Sequence, residues 1–207
     1  MIPSLAIIAL VLVVAFLVGG IPWGLILVRA FAGQDIRTIG SGKTGATNVL
    51  RVLGWSGFAA AVVLDALKGI LPVLLARTLT GDAWVEAAAG VAAVLGHTFS
   101  PYLGFRGGGR GMVTAVGAGF TMAPLLVLLI PVFIIPVVLT RYMSLGNLIA
   151  ATAAIIVMFV AAFQFGQSWA AFAFVLAGGL LVIVNHADNI QRILNGTERK
   201  IGESGSQ

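Results

Sequence analysis

The 207-residue chain is 59% hydrophobic and only 9% charged, whereas a soluble domain carries about 25% charged residues, so an ordinary water-soluble globule is excluded. A mean hydropathy of +1.08 makes lipid the solvent, with room for roughly six to eight crossings of about 20 residues. Zero cysteines and two histidines argue against a disulfide framework, a thiol nucleophile and a thiolate or multi-histidine metal centre, and the net charge of +5 reads as membrane topology rather than nucleic-acid binding.

In chain order, the first apolar run, Ile2 to Val28, is longer than a signal-peptide core and lacks a charged leader, so it reads as a span. A polar stretch follows from Gly33 to Arg51. A second span is predicted from Trp55 to Leu79, then a turn at Thr80-Gly81-Asp82, then a shorter third span from Trp84 to Thr98. Phe105 to Gly111 is too glycine-rich for a helix interior. Met112 to Leu139 contains Pro124, Pro131 and Pro136 and is long enough for two short or broken crossings. A sixth span covers Leu148 to Phe165 and a seventh Trp169 to Val184. The polar tail reads as a short amphipathic helix with Ile190, Ile193 and Leu194 on one side. The expectation is one all-α, polytopic membrane domain over 1–207 with about seven transmembrane helices.

Seven crossings put the termini on opposite sides. One side collects Arg29, Arg37, Lys43, Arg51, Arg106, Arg110, Arg141, Arg192, Arg199 and Lys200, and the other has Arg77 with Asp82 and Glu86 nearby. The positive-inside rule then places the N-terminus outside and the C-terminus in the cytosol. Every glycine-rich polar island faces that same cytosolic side.

The first island runs Gly40-Ser41-Gly42-Lys43-Thr44-Gly45-Ala46-Thr47-Asn48, followed by Arg51. Glycines let backbone N–H groups converge on an anion; Ser41, Thr47 and Asn48 add neutral donors, and Lys43 and Arg51 add charge. Gly42-Lys43-Thr44 resembles the end of a nucleotide-binding P-loop, but Arg37 occupies the place of its first glycine and no strand precedes it. The second island, Arg106-Gly107-Gly108-Gly109-Arg110-Gly111, repeats the pattern with guanidinium forks suited to phosphate oxygens. The plainer reading of such a loop is a flexible segment touching anionic lipid, and two co-facial islands favour a shared phosphate pocket. In the third island, His186 is a candidate general base or phosphate donor, beside Asn189. Asp65 and Lys68 share one helical face at membrane depth, where ionisable groups are functional candidates or a structural ion pair. His97 and Ser144 are further candidates for the same pocket. No metal site is expected.

These residues resemble the acyl-phosphate-dependent glycerol-3-phosphate acyltransferases, the PlsY family. Gly40-Ser41-Gly42-x-x-Gly45-Ala46-Thr47-Asn48-x-x-Arg51 is similar to that family's first signature, and Phe105-Arg106-Gly107-Gly108 opens the second. Asp65-x-x-Lys68-Gly69, Gly96-His97-x-Phe99 and Arg141-Tyr142-x-Ser144-Leu145 look like family segments. His186-x-x-Asn189-Ile190-x-Arg192 and Gly196-Thr197-Glu198-x-Lys200-Ile201 echo the last signature. The resemblance implies a seven-helix fold in the bacterial inner membrane with a cytosolic active site and no cofactor. It implies acyl transfer from acyl phosphate to the 1-hydroxyl of glycerol 3-phosphate, giving lysophosphatidate and inorganic phosphate. Membrane lipids are the surroundings; neither nucleic acid nor an obligate protein partner is implied. It assigns phosphate handling to the Ser41, Asn48, Arg51 and Arg110 positions, glycerol 3-phosphate to His186 and Asn189, and a structural role to Glu198.

The chain departs from the family pattern at Lys43 and Thr44, at the extra glycine Gly109, at Arg110 where lysine is usual, and at Ala187-Asp188 where Arg-Glu is usual. Those departures raise the alternative of a divergent paralogue of low activity. Two other classes compete: a phosphate or organophosphate transporter, which needs a mid-membrane site reached from both sides, and a lipid-binding scaffold, which needs the basic loops without their Ser, Thr, Asn and His companions.

Overall fold

The computed structural model describes residues 3–202; Ile2, where the first span was expected to begin, lies outside them. Every regular element among the described residues is helical. The first apolar run forms two helices, α1 (Leu5–Gly20) and α2 (Trp23–Ala32). They separate at Ile21-Pro22, because proline has no N–H to continue the ladder and its ring crowds the preceding turn. Together they remain long and apolar enough to cross a membrane.

Helix α3 (Ala46–Thr80) starts well before the expected Trp55. It bends at Gly54, whose φ of 68° and ψ of −163° fall in a region essentially reserved for glycine. The polar turns 46–53 are thereby set apart from the apolar length that follows. Helix α4 (Ala83–Thr98) begins on Asp82, whose carboxylate accepts from the Trp84 and Val85 amides, an N-cap that satisfies two otherwise unpaired donors. The proline-rich stretch, where two short or broken crossings were expected, divides into α5 (Met112–Met122), a 3-10 segment (Pro124–Leu129) and α6 (Ile130–Thr140), short apolar helices. Helix α7 (Met143–Phe165) opens at Met143 rather than Leu148, and α8 (Trp169–Val184) has the expected bounds. The tail forms α9 (Ala187–Leu194), bent 55° from α8.

Helix α4 lies at the centre, packed on α1, α3, α5 and α8. Small residues allow this. A Cβ on Gly19 would lie 2.1 Å from the Ala93 carbonyl oxygen, and one on Gly96 would lie 2.1 Å from that of Phe16. Gly69 and Gly117 make the same reciprocal approach between α3 and α5, against Thr114 and Ala66. Such backbone contact is how membrane helices associate when lipid and protein interior are equally apolar. Gly96→Val should therefore force α1 off α4 and cost about 2 kcal/mol, read as a lower thermal unfolding midpoint in detergent. An unchanged midpoint would show that the seam is loose.

Large apolar side chains cover the outside instead: Leu5, Leu128, Leu139 and Phe163 are each more than two-thirds exposed. A water-soluble protein would not present such a surface, and helices with internally satisfied backbones are what lipid admits.

Candidate active site

The first glycine-rich loop is ordered by two side chains. Asp35 caps a 3-10 turn (Ile36–Thr38), accepting from the Arg37 amide at 3.0 Å and from the guanidinium groups of Arg37 and Arg29. Arg37 chiefly, through these hydrogen bonds, holds the Asp35 carboxyl well below the usual range. Asn48, from the first turn of α3, is buried, and its Nδ2 donates to the carbonyls of Ile36, Ile39 and Lys43 at 2.9–3.1 Å. Its donors are therefore committed to the loop, and only its Oδ1 is turned to Arg51, 3.4 Å from Nη1. Ser41 and Lys43 stand on the loop so made, with Gly40 and Gly42 at positive φ on either side of Ser41.

The second loop and the tail are joined by charge. Arg110 Nη2 lies 2.9 Å from Asp188 Oδ2, and Arg192 reaches the same oxygen at 3.2 Å. Burial pushes the Arg110 guanidinium below its ordinary value, with Asp188 opposing. Burial raises the Asp188 carboxyl, but Arg110 and Arg192 outweigh it and leave the group below its usual range. Behind them, buried Glu198 accepts from Ser144 Oγ at 2.9 Å, Asn189 Nδ2 at 2.7 Å and Arg192 Nε at 2.9 Å. Arg141 fastens the end of this arm, its guanidinium and carbonyl both bonding the Ile201 backbone.

His186 follows α8 and is 1% exposed. Its Nδ1 lies 2.7 Å from the Val182 carbonyl, which can only accept, so Nδ1 carries the proton. Nε2 is then the acceptor, facing Asn147 Nδ2 at 3.3 Å. Burial pushes the imidazole down to about 4 against the opposing Val182 bond, so the ring is neutral at physiological pH.

These segments surround one cavity of about 470 Å³, within the range of small-molecule sites. Ser41, Lys43, Thr47, Asn48, Arg51, His97, Arg110, Ser144, His186 and Asn189 line it. Gly40, Gly42, Gly107, Gly108, Gly109 and Lys68 are not among its lining residues. The glycines shape the loops from behind, while Lys68 Nζ is spent on Asp65 and the Ile21 carbonyl, both at 2.9 Å. Three polar lining residues were not singled out as site residues from sequence: Asn147, Arg192 and Arg199. Both arginines lie within the last-signature echo, and that was the available signal; positive-inside counting had absorbed them. Arg199 is exposed and, with Lys43 and Arg51, lines the cavity without an ion pair among the described residues.

Along α5 the lining changes from Arg110 and Gly111 to Val116 and Phe120, and Phe58, Leu126, Phe133 and Phe174 continue it. Phe120 is nine residues past Gly111, about 13 Å along the helix. The cavity is therefore cationic and hydroxyl-bearing at one end and apolar at the other, a shape for a phosphate with a hydrocarbon tail. Among the described residues, no carboxylate or histidine hydrogen-bonds to Ser41, whose Oγ accepts from the Lys43 amide, so Ser41 has no partner that would activate it as a nucleophile.

A family model described as glycerol-3-phosphate acyltransferase matches residues 9–196. A glycerol-3-phosphate acyltransferase of Geobacter sulfurreducens is 48% identical, the match covering 90% of this chain and 94% of the relative. Its counterpart in Halalkalibacterium halodurans is 39% identical over 93% and 95%. The crystal structure of PlsY, an integral membrane glycerol 3-phosphate acyltransferase, superposes in its glycerol 3-phosphate form with a TM-score of 0.86 at 36% identity, covering 94% of this chain and 96% of that one. Its lysophosphatidic acid form gives 0.84 at 34%, over 94% and 95%. Sequence and fold thus match along nearly the whole chain, and it belongs to the glycerol-3-phosphate acyltransferase family as an integral-membrane, all-helical enzyme of the PlsY type.

Proposed function

We propose that the protein transfers a fatty acyl group from acyl phosphate to the 1-hydroxyl of sn-glycerol 3-phosphate, the first step of bacterial phospholipid synthesis. The observation that carries this reading is the two-ended cavity, with uncommitted cations at one end and an aromatic and aliphatic chamber at the other. Both substrates bear a phosphate of nearly two negative charges. Lys43, Arg51 and Arg199, which have no ion pair among the described residues, meet them, and Arg110 is available by exchanging Asp188 for a phosphate oxygen. Ser41 and Thr47 supply hydroxyl donors, and the acyl chain extends along Val116, Phe120 and Phe174.

In the reaction, the 1-hydroxyl oxygen attacks the carbonyl carbon, and the bond from that carbon to the phosphate oxygen breaks. The hydroxyl proton goes to the departing phosphate, so inorganic phosphate and lysophosphatidate are the products. The donor is already an activated anhydride, so no covalent enzyme intermediate is needed. Catalysis comes from holding two anions in line and stabilising charge on the carbonyl oxygen. Neutral His186 and Asn189 orient the glycerol backbone, with Asn147 steadying the imidazole. The one-sided bias of basic residues supports a site on the cytosolic side of the inner membrane, in a seven-crossing arrangement with an external N-terminus.

A donor comparison tests the reading. With purified protein in lipid and glycerol 3-phosphate, palmitoyl phosphate should give lysophosphatidate and palmitoyl-coenzyme A should give none. Equal product from both donors would overturn the acyl-phosphate assignment.

A further inference from the structure

The mechanism above leaves a buried polar cluster unused. Asp65, Lys68 and His97 are 2%, 3% and 6% exposed. Lys68 ties Asp65 on α3 to the Ile21 carbonyl in the break between α1 and α2. The His97 ring, at the end of α4, turns Nδ1 toward Asp65 Oδ1 at 3.9 Å. His97 Nδ1 has no hydrogen-bond partner, although it is fully buried, an arrangement that is costly in an apolar bundle.

The other side of His97 explains the arrangement. The Gly109 amide donates to the His97 carbonyl at 3.2 Å. A Cβ on Gly109 would lie 2.0 Å from His97 Nε2, and one on Gly108 would lie 2.3 Å from the carbonyl oxygens of His97 and Thr98. The second glycine-rich loop thus rests directly on this imidazole, at the residue that is extra relative to the family pattern. The α4 end beneath it is itself fixed, because Asn185 Nδ2 donates to Thr98 Oγ1 at 3.0 Å. The next residue along the loop is Arg110, whose Nε is buried without a partner and whose Nη2 points to Asp188.

We infer that His97 is a positioning residue: backed by the Asp65–Lys68 pair, its ring seats the Gly108–Gly109 backbone and thereby sets where Arg110 meets a substrate phosphate. This rests on the acyltransferase reading for its kinetic consequence, though not for the seat itself. A loop that leaves this seat carries Arg110 away from the phosphate and weakens its binding, which gives an otherwise unfavourable buried cluster its use.

The test takes the full-length protein in lipid as wild type, His97→Ala, His97→Gln, Arg110→Ala and the His97→Ala/Arg110→Ala double variant. Deuterium uptake over Gly107–Gly111 should be about tenfold faster in H97A, with H97Q, which returns an amide near the Nε2 position, moving back toward wild type. Kinetically, H97A should raise the KM for one of the two phosphate substrates about tenfold while kcat changes less than about threefold. Adding H97A to R110A should cost nothing more, because His97 acts through Arg110. Wild-type uptake in H97A, or losses from H97A and R110A that multiply, would overturn the inference. Wild-type protein that makes no lysophosphatidate would sink the acyltransferase reading instead, and the uptake comparison would still decide the seat.

Discussion

Arg51→Ala should lower kcat/KM by at least about 100-fold, the scale on which a preorganised charge stabilises a reacting anion, and leave the fold intact. Arg51 lines the cavity from the polar turns of α3 ahead of the Gly54 bend, and its Nη1 approaches Asn48 Oδ1 at 3.4 Å. Asn48 holds the first loop through its Nδ2, whether or not Arg51 is present. Arg199 and Arg110 act on Arg51 as neighbouring like charges, with Glu198 opposing them. A bound phosphate would add to the partial neutralisation that Glu198 supplies. Arg51→Lys keeps the charge but not the planar fork and should recover only part of the loss. Parallel kinetics and thermal unfolding check this. Retained turnover in R51A would remove Arg51 from phosphate binding, and a collapsed unfolding midpoint would give it a structural role.

The second large effect is expected at Glu198. Its carboxylate gathers Ser144 from α7, Asn189 and Arg192 from α9, and the arm that carries Arg199. Glu198→Ala strands those donors at a site where the residue is only 9% exposed, at a cost of about 3 kcal/mol. The unfolding midpoint should fall sharply, and activity should fall with it because Arg199 and Asn189 lose their support. Asp188→Ala is the contrast. Asp188 is half exposed and bridges Arg110 to Arg192 at the surface, where an ion pair is worth at most about 1 kcal/mol. A Glu198→Ala variant as stable as Asp188→Ala would contradict this account of the arm.

The membrane-embedded, all-helical character was legible because the hydropathy pattern depends only on composition along the chain. Helix α8 matches its expected bounds, and α4 differs only at its first residue, since an apolar run bounded by caps and turns leaves little choice. Pro22 and Gly54 were less legible: both sit inside or beside apolar stretches, where hydropathy continues smoothly while the backbone does not. The candidate phosphate groups were found as residue types, but their partners were not. The three-residue spacing allowed the Asp65–Lys68 ion pair, but nothing in it says that Asn48 spends its amide on three loop carbonyls, or that Lys68 also reaches the Ile21 carbonyl. Those outcomes depend on tertiary approach, which a linear pattern does not encode. Arg192 and Arg199 were hidden for a different reason. Topology alone accounts for basic residues on one face, so charge could not mark them as lining the site.

The departures from the family pattern acquire physical contexts in the same way. Gly109 occupies a place where any side chain would enter the His97 ring. Arg110 meets Asp188, one of the residues that replace the usual Arg-Glu. Lys43 adds a cation to the cavity lining. Thr44 is buried, and its carbonyl oxygen lies 1.9 Å from where a Cβ on Gly24 would stand, so it packs α2 against the loop.

The most direct measurement is product stoichiometry. Protein reconstituted in lipid is supplied with palmitoyl phosphate, with and without glycerol 3-phosphate, and phosphate and lysophosphatidate are followed together. The account predicts that both products form in equal amounts and only when glycerol 3-phosphate is present. Phosphate release that proceeds without glycerol 3-phosphate, or that yields no lysophosphatidate, would contradict it.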